Sequence, residues 1–571
     1  MHSYKSNPKF PKMSATEIIA LSSVAPKTPA PINHPFSRPG NPPSSSPSPS
    51  STNLSIPSTP PNDEQNIALA QSSKPNLSTA RLILTIFVPS LIGFWASFTN
   101  GIITVGLPVI ARSISLERAL YLWPQSVYGL TSGAVLLIAG SVADIVGARS
   151  VELLGVFLLG AMTLACGLAQ TGVQLVVFRA IQGVALAMHL PASVSIITAA
   201  VPAGRARNLG FACLGMSQPL GFSVGLVLSG VMTEKAGWRS GFYLSGGATL
   251  VVAIAAYWAL PKVNTAVAAG GRSIAERLRK DVDWVGGIIA SGGLAILAYV
   301  LAVLSADLST IRSAETASLL AVSLALLLSF PAWMRVQTRA GRPAIIPNSL
   351  WKSIPFSATC IMVALSYGAM NSGEIFASLY FQEVQNASTL TTSLYLLPNL
   401  VAGVFINLTV GLVVHRVPAR WLVSGSAVIC ACSPLMMALV NPAWNYWYLE
   451  FWAQAFAPFS ADVLFTVGLI IVSDSFPEKT QALAGAVFNT VAQFGLSLGV
   501  GVCQVVALGV MDSGSRASGA RKEGEAFEED VKQVLKGYRA SYWTMFAYML
   551  VCVVIAVGGL RGVGKVGLKR E

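Results

Sequence analysis

The sequence predicts an all-α polytopic membrane protein in which about 14 transmembrane helices form two parallel six-helix bundles with two inserted spans. Three observations carry this prediction. The 571 residues are 53% hydrophobic and only 11% charged, whereas about a quarter of the residues in ordinary globular proteins are charged. Beyond residue 79 the chain contains a series of apolar windows, each long enough to cross a bilayer core about 30 Å thick. The two ends of this region also repeat each other in sequence.

Residues 1–79 form a tail that we expect to be disordered and cytoplasmic. About half of the 32 prolines fall there, among serine-rich stretches such as 42–59. A segment of this composition lacks the apolar surface needed to offset the entropy of ordering it. The spans then divide the chain into an N-terminal bundle (80–260), a linker with two inserted spans (261–353), a C-terminal bundle (354–560) and a short cytoplasmic tail (561–571).

The spans follow from apolar windows bounded by charged residues, proline or glycine. They are predicted at 82–108, 121–143, 151–170, 174–200, 207–232, 239–260, 284–304, 315–335, 355–380, 390–414, 420–440, 446–472, 481–510 and 541–560. An even number of spans places both termini on one side. The connections on that side carry most of the basic residues, for example Arg149, Arg277 and Arg416, so the side is cytoplasmic by the positive-inside rule.

The net charge of +13 is therefore accounted for by loops rather than by a nucleic-acid partner, and the sequence has no basic-aromatic nucleic-acid motif. We expect the lipid bilayer to be the main partner. No cofactor or metal site is expected, because no phosphate-binding loop or metal-ligand spacing occurs. No nucleophile and base are spaced for catalysis either, so we expect no enzymatic activity.

The internal repeat is the observation most informative about function. Residues 140–149 after the second span match 411–420 after the tenth, and Pro202 and Gly210 match Pro477 and Gly485. A constant offset in consistent order indicates two bundles of the same orientation, an architecture typical of alternating-access transporters. Small residues of the fifth and thirteenth spans also match, and we expect them at helix interfaces, either between helices that slide across the two halves or in tight static packing: Gly221, Gly225, Gly495 and Gly499.

At these residues the sequence resembles the major facilitator superfamily, in particular the fungal 14-span drug:proton antiporters with their aminotriazole-resistance-like and ammonium-transporter-like members. The resemblance covers about residues 80–560. One motif is similar to the loop motif between spans 2 and 3, although Ile145 and Ala148 replace residues that are usually basic. Its members, which the resemblance associates with the conformational cycle, are Gly140, Asp144, Gly147 and Arg149.

Two further motifs are similar to those of the family. Arg179, with Gln182 and Gly183, resembles the fourth-span motif, whose arginine the family associates with proton coupling. Pro219, with Gly221 and Gly225, resembles the antiporter motif of the fifth span, with Gln218 where a glycine is usual. In the first span, Thr99 stands where such antiporters commonly carry an aspartate.

Ionisable groups inside spans are costly, by about 2.5 to 3.5 kcal/mol or more at the centre, and are functional candidates for that reason. Asp462 lies near the middle of the twelfth span and His189 near the middle of the fourth. Both groups can take up and release protons, so we expect Asp462, and secondarily His189, to couple proton movement to transport. The alternatives are a structural carboxylate and an interhelical hydrogen bond. Arg179 and Glu374 are expected nearer the outer boundary, where Arg179 could snorkel.

The expected substrate-facing set is amphipathic rather than charged, which suits weakly polar organic molecules. Each member is alternatively an interhelical hydrogen bond. The set is Asn100, Gln125, Gln182, Gln218, Tyr367, Asn371, Tyr395, Asn399 and Gln493.

We therefore expect a secondary active transporter of the plasma membrane, with the vacuolar membrane as the alternative, that exports a small-molecule substrate (a drug, toxin or secondary metabolite) in exchange for protons. The same fold would also suit an importer or facilitator of a small polar solute such as ammonium. A transporter-like sensor or scaffold is the alternative of another class. Asn386, in an Asn-Ala-Ser sequon on the outer side, is a possible glycosylation site.

Overall fold

The computed structural model describes residues 78–201, 205–261, 273–306, 308–476, 478–515 and 523–564. Within these residues, 14 helices are long and apolar enough to cross a membrane, which confirms the predicted number of spans. Nearly all of the predicted tail 1–79 and most of 561–571 lie outside the described residues, as do Pro202 and Pro477.

The spans are numbered α1 to α14 in chain order. Their bounds are α1 Thr79–Ser113, α2 Trp123–Val146, α3 Ala148–Leu168, α4 Gly172–Ala200, α5 Arg205–Ala236, α6 Arg239–Ala259, α7 Trp284–Ala306, α8 Ala314–Arg339, α9 Ile354–Leu379, α10 Thr389–Val413, α11 Ala419–Leu439, α12 in two pieces Glu450–Phe456 and Phe459–Ser475, α13 Glu478–Ser515 and α14 Glu523–Gly559. A short polar helix, Ile274–Asp281, precedes α7.

Polar caps and glycines set several helix ends. The side chains of Ser78, Thr171 and Ser388 each accept a hydrogen bond from the backbone N–H three residues later, at 3.4, 3.3 and 3.2 Å. Such a cap satisfies one of the N–H groups that a helix start leaves unpaired. Gly147 turns the chain between α2 and α3 with a φ of 107°, a conformation that favours glycine.

The internal repeat is visible in the helix packing. In the first half α1 packs against α5, α2 against α4 and α3 against α6; in the second half α9 packs against α13, α10 against α12 and α11 against α14. Equivalent helices therefore have equivalent neighbours. The two six-helix bundles predicted from the repeat are present.

The four repeated glycines lie at close helix contacts within each half. A Cβ atom on Gly221 or Gly225 would collide with the backbone of Phe94 or Phe98 on α1, and one on Gly495 would collide with the backbone of Ala364 on α9. Gly499 meets the backbone of α9 in the same way, at Gly368. Their role is thus tight packing inside each bundle, and the alternative that these faces meet across the two halves is wrong for this conformation.

The two halves meet along α2 with α13 and along α5 with α10. The small residues at these seams were not singled out by the sequence: Gly129 packs against Leu496, and Gly230 against Leu390. The inserted helix α7 packs on both α2 and α13, where Ser291 donates a hydrogen bond of 2.8 Å to the carbonyl of Ala134. α7 therefore covers one of the two seams, and α8 packs on α7.

Two irregular helices shape the second half. The α-helical part of α9 ends at Leu379, as expected, but a π turn, Tyr380–Val384, extends the helix beyond it. α12 is interrupted at Pro458, so its second piece starts inside the span. Asp462 lies in the first turn of that second piece, with its backbone N–H bonded to the carbonyl of Pro458 at 3.1 Å.

Candidate functional site

Arg179 on α4 is fully buried in the first half and is held by neutral acceptors. Its guanidinium donates to the carbonyl of Pro124 at 2.8 Å, to Gln182 at 2.8 Å and to Asn100 at 2.6 Å, with a longer contact to Gln125 at 3.5 Å. No carboxylate contacts it among the described residues. The structure thus gathers three predicted substrate-facing amides around one cation.

The burial of Arg179 argues against the snorkelling that was considered for it. A snorkelling side chain would reach water, but none of the surface of Arg179 is exposed. The ring of Tyr128 lies under the guanidinium, with its centroid 4.1 Å from Cζ, and Gln182 donates a further hydrogen bond of 2.6 Å to Thr163 on α3. A charge buried this completely requires a full set of acceptors, which three helices supply.

Two carboxylates lie in the second half, one on α9 and one on α12. Glu374 is 5% exposed and accepts a hydrogen bond of 3.2 Å from Asn399 on α10. Asp462 is half-buried and is hydrogen bonded to Asn407, also on α10. A Cβ on Gly403 would lie 2.9 Å from Asp462 Oδ2, so α10 approaches this carboxylate closely. Neither acid has a cationic partner among the described residues.

The burial of Glu374 corrects a second expectation. The sequence suggested a hydrated position near the outer boundary, because the ninth span was expected to end near residue 380. Since helix continues to Val384, Glu374 lies ten residues, or about 15 Å, from its end. Glu374 is therefore enclosed by neighbouring helices rather than hydrated, and Asn399 is its partner.

His189 is paired with Glu152, a residue that the sequence analysis did not single out. Nδ1 of His189 lies 2.8 Å from Oε1 of Glu152, and neither side chain is exposed. The pair joins α4 to α3. The interhelical hydrogen bond considered for His189 is thus present, and its partner is a carboxylate.

The remaining predicted substrate-facing residues are distributed over both halves. Gln218 is half-buried on α5 beside Gly93 of α1, and Gln493 lies at the seam between α13 and α2, against Gly133. The Tyr395 ring stacks on that of Tyr446 with a centroid distance of 4.2 Å.

On α9, Asn371 donates to the carbonyl of Tyr367 at 3.2 Å, and the Tyr367 ring lies 6.0 Å from that of Phe465. The structure therefore does not bring all nine residues together. Asn100, Gln125 and Gln182 cluster at Arg179, whereas Asn399 is at Glu374.

Two residues of the loop motif, Arg149 and Asp144, differ in their contacts. Arg149 donates to the carbonyls of Leu260 at 2.9 Å and Tyr257 at 2.6 Å, so it binds the end of α6. Cations are favourable at a helix C-terminus. Asp144, in the last turn of α2, is exposed and makes no hydrogen bond or ion pair among the described residues. Gly147 provides the turn between them, and Gly140 packs against Pro191.

Thr99, at the place of the usual first-span aspartate, is buried and hydrogen bonded. Its hydroxyl lies 3.1 Å from the carbonyl of Trp95 and 3.2 Å from the hydroxyl of Ser245 on α6. A threonine cannot titrate in the physiological range, so this position holds α1 to α6 and binds no proton.

The two halves are closed against each other at one end, the end predicted to be outer. Arg118, between α1 and α2, pairs with Glu383 at 2.7 Å, and Gln382 donates to the carbonyl of Val105 at 2.8 Å. On the other seam Glu234 accepts from the backbone N–H of Leu390 at 3.1 Å. Both seams therefore carry polar contacts at this end.

Known proteins resemble the chain over most of its length. It is 39% identical over 545 residues to MFS-type transporter 1 of Pyricularia oryzae, covering 90% of this chain and 89% of that protein. Two Saccharomyces cerevisiae proteins are more distant: the low affinity ammonium transporter is 26% identical over 442 residues (76% and 80% covered), and the aminotriazole resistance protein is 24% identical over 457 residues (78% of each).

The fold is also that of solved transporters. The crystal structure of a bacterial homolog of the human lysosomal transporter Spinster, inward-facing and unoccupied, matches with a TM-score of 0.59 at 15% identity, over 85% of this chain and 98% of that one. Residues 90–500 match the family described as Major Facilitator Superfamily. The chain, with its 14 spans in two repeated bundles, is thus a multi-pass membrane transporter rather than an enzyme, and it belongs to the major facilitator superfamily.

Proposed function

We propose that this transporter exports small organic compounds in exchange for protons, by alternating access between the two bundles. The observation that carries the proposal is the pair of carboxylates in the second half. Glu374 and Asp462 lie in membrane-spanning segments with amide partners and, among the described residues, no cation. A carboxylate in that position is costly unless it binds a proton or a cationic group. Alternation between these two occupants is what an antiporter requires.

The neighbours of these acids suit a weakly polar organic substrate. Tyr367 and Phe465 supply aromatic surface beside Asp462, and the stacked Tyr395 and Tyr446 lie on the same half. Aromatic walls with a few polar groups hold and orient such ligands. Export of this class is also supported by the relative named for resistance to aminotriazole.

Transport of a small polar solute such as ammonium is the second candidate. Thr99 favours it, because the first span offers no acid for proton coupling and its hydroxyl is engaged by Ser245. A relative is named as a low affinity ammonium transporter. Proton coupling would then be dispensable.

Purified protein in liposomes distinguishes these candidates. Uptake of radiolabelled aminotriazole and of methylammonium, a traceable ammonium analogue, is measured with and without an imposed pH gradient, and protein-free liposomes are the control. We expect aminotriazole accumulation that requires the gradient. Gradient-independent movement of methylammonium would support the second candidate. Compounds that accumulate in cells lacking the protein are tested in the same liposomes, and if none of them moves, the result would favour a sensor.

We also propose that both termini face the cytoplasm and that the protein resides in the plasma membrane. The basic connections support this orientation. Asn386 then lies outside; it is exposed with a φ of 55°, on the short turn between α9 and α10. Tags at either terminus should be protected from protease in intact cells. Removal of a glycan by endoglycosidase should shift the mobility of the wild type and not of Asn386→Gln.

A further inference from the structure

Glu152 and His189 form a buried polar pair in the first half. Oε1 and Nδ1 are 2.8 Å apart, and the two side chains have no exposed surface. Their other polar atoms, Oε2 of Glu152 and Nε2 of His189, have no hydrogen-bond partner among the described residues. Buried polar atoms are rarely left unpaired, so a pair with two such atoms needs an explanation beyond packing.

In the part of the chain that the structure describes, few other charged groups lie near the pair. Toward His189, α1 presents Gly93 and α5 presents Ser217 and Gln218, none of which titrates. α2 presents Gly140 to the next turn of α4, at Pro191.

On α3 itself, Arg149 precedes Glu152 by three residues and donates to carbonyls at the end of α6, at Leu260 and Tyr257. Among the described residues, Glu152 is thus the only charged group that contacts His189. The protonation of the two side chains must be considered together.

We propose that Glu152 and His189 form a one-proton binding site in the first half, separate from the carboxylates of the second half. One proton makes the pair neutral as a whole, as a neutral acid with a neutral imidazole or as an ion pair. Adding or removing a proton would leave a net charge without a partner in a buried setting, which costs several kcal/mol even after relaxation. The occluded pair therefore retains one proton.

Entry of water changes the number of protons that the pair binds. Water solvates a carboxylate, so a hydrated pair can exist without the proton that the occluded pair retains. Glu152 lies four residues, or about 6 Å, from the first residue of α3, close to the face where Asp144 is exposed. Opening of the bundle at that face would hydrate the pair and release its proton there, and the pair would bind a proton again from the water of the opposite face once alternating access exposes it to that side. The release and uptake of this proton during transport rest on the proposed proton coupling. The binding of one proton by the pair does not depend on it.

The test needs no transported substrate. Protein reconstituted in liposomes is adsorbed to a solid-supported membrane, and the charge displaced by a pH jump is recorded as a function of pH. If the first and second halves contribute similarly, Glu152→Gln should reduce the charge displaced near neutral pH about twofold, since separate sites add. His189→Gln should instead keep a proton-binding signal but displace its midpoint, because Glu152 is then left to bind the proton without its imidazole partner.

Controls keep the outcomes distinct. Glu315→Gln, at an exposed acid in the first turn of α8, should leave the signal unchanged. Wild-type amplitude and midpoint in both Glu152→Gln and His189→Gln would overturn the proposal; if Glu152→Gln does not fold, the midpoint of His189→Gln decides. A signal that Glu152→Gln reduces, together with gradient-independent transport, would contradict the proposed function and leave this site standing.

Discussion

Arg118 and Glu383 join the two halves at one end of the molecule, with a distance of 2.7 Å between the guanidinium and the carboxylate. Tyr538 on α14 donates a hydrogen bond of 2.6 Å to the same carboxylate oxygen. Burial opposes the charge on Arg118, but Tyr538 and Glu383 outweigh it and raise the pKa of Arg118 above its ordinary value. Arg118 therefore stays charged to high pH.

Breaking this pair should shift the protein toward the conformation that is open at this end. Arg118 is 45% exposed, and exposed ion pairs are worth about 0.2 to 1 kcal/mol, so Arg118→Ala should raise the open population by up to about fivefold. Distances between spin labels at Glu117 and Ser388 measure this population. Glu276→Gln, which breaks the exposed Lys280 pair of 2.8 Å, is the matched control. Unchanged label distances in Arg118→Ala would show that the pair does not hold the halves together.

The glycine contacts inside the first bundle predict a stability difference between two substitutions on α5. Gly221→Ala forces a Cβ into the backbone of Phe94, and overpacking of this kind costs about 1 to 3 kcal/mol. Gly215→Ala meets nothing within 4 Å and should be neutral or stabilising by up to about 1 kcal/mol. Thermal unfolding in detergent compares the two. Equal melting temperatures would contradict the close approach of α1 and α5.

The cluster around Arg179 predicts that charge alone does not replace the guanidinium. Arg179→Lys keeps the charge but cannot match acceptors on three sides, and each buried acceptor left unpaired costs about 1 to 3 kcal/mol. We expect both Arg179→Lys and Arg179→Gln to unfold at lower temperature and to transport poorly. Arg112→Gln, at an exposed arginine that bonds one carbonyl, should behave as wild type. If Arg179→Lys were as stable as the wild type, the surrounding amides would not need the several N–H donors of the planar guanidinium.

Asp144 is exposed and, among the described residues, has no partner in this conformation, which predicts a role in the other one. Asp144→Asn should leave stability within about 0.5 kcal/mol, as is usual for surface positions. The transport rate should fall while the preference among substrates stays the same, because the residue lies on the face and not among the candidate substrate contacts. Competition assays and initial rates measure the two quantities. A changed substrate preference with an unchanged rate would contradict this assignment.

The sequence predicted the membrane fold well because span length and the repeat are encoded locally. Every predicted span corresponds to a helix, and the equivalent neighbours of α1 and α9 follow from the repeat. The residues Asn100, Gln125 and Gln182 were each recognisable as polar groups in apolar windows. Their meeting at Arg179 was not, since it depends on how three helices are rotated about their axes.

The missed residues have physical explanations. Glu152 lies one turn inside α3, where an acid is ordinarily solvated, and its burial depends on the contact with His189 of α4. Glu374 was expected nearer the surface because the π turn that lengthens α9 has no sequence signal of its own. One sequence signal would have found Glu152. It is an acid within two turns of a predicted span end, at a depth similar to that of a histidine in the neighbouring span.

The central claim is that a carboxylate of the second half couples protons to transport, and Asp462 is its most direct test. Proton flux and aminotriazole uptake are measured together in liposomes for wild type, Asp462→Asn and the control Glu315→Gln. We expect Asp462→Asn to abolish accumulation driven by the pH gradient, while the wild type and the control accumulate the compound. Gradient-driven accumulation in Asp462→Asn at the wild-type rate would contradict the claim.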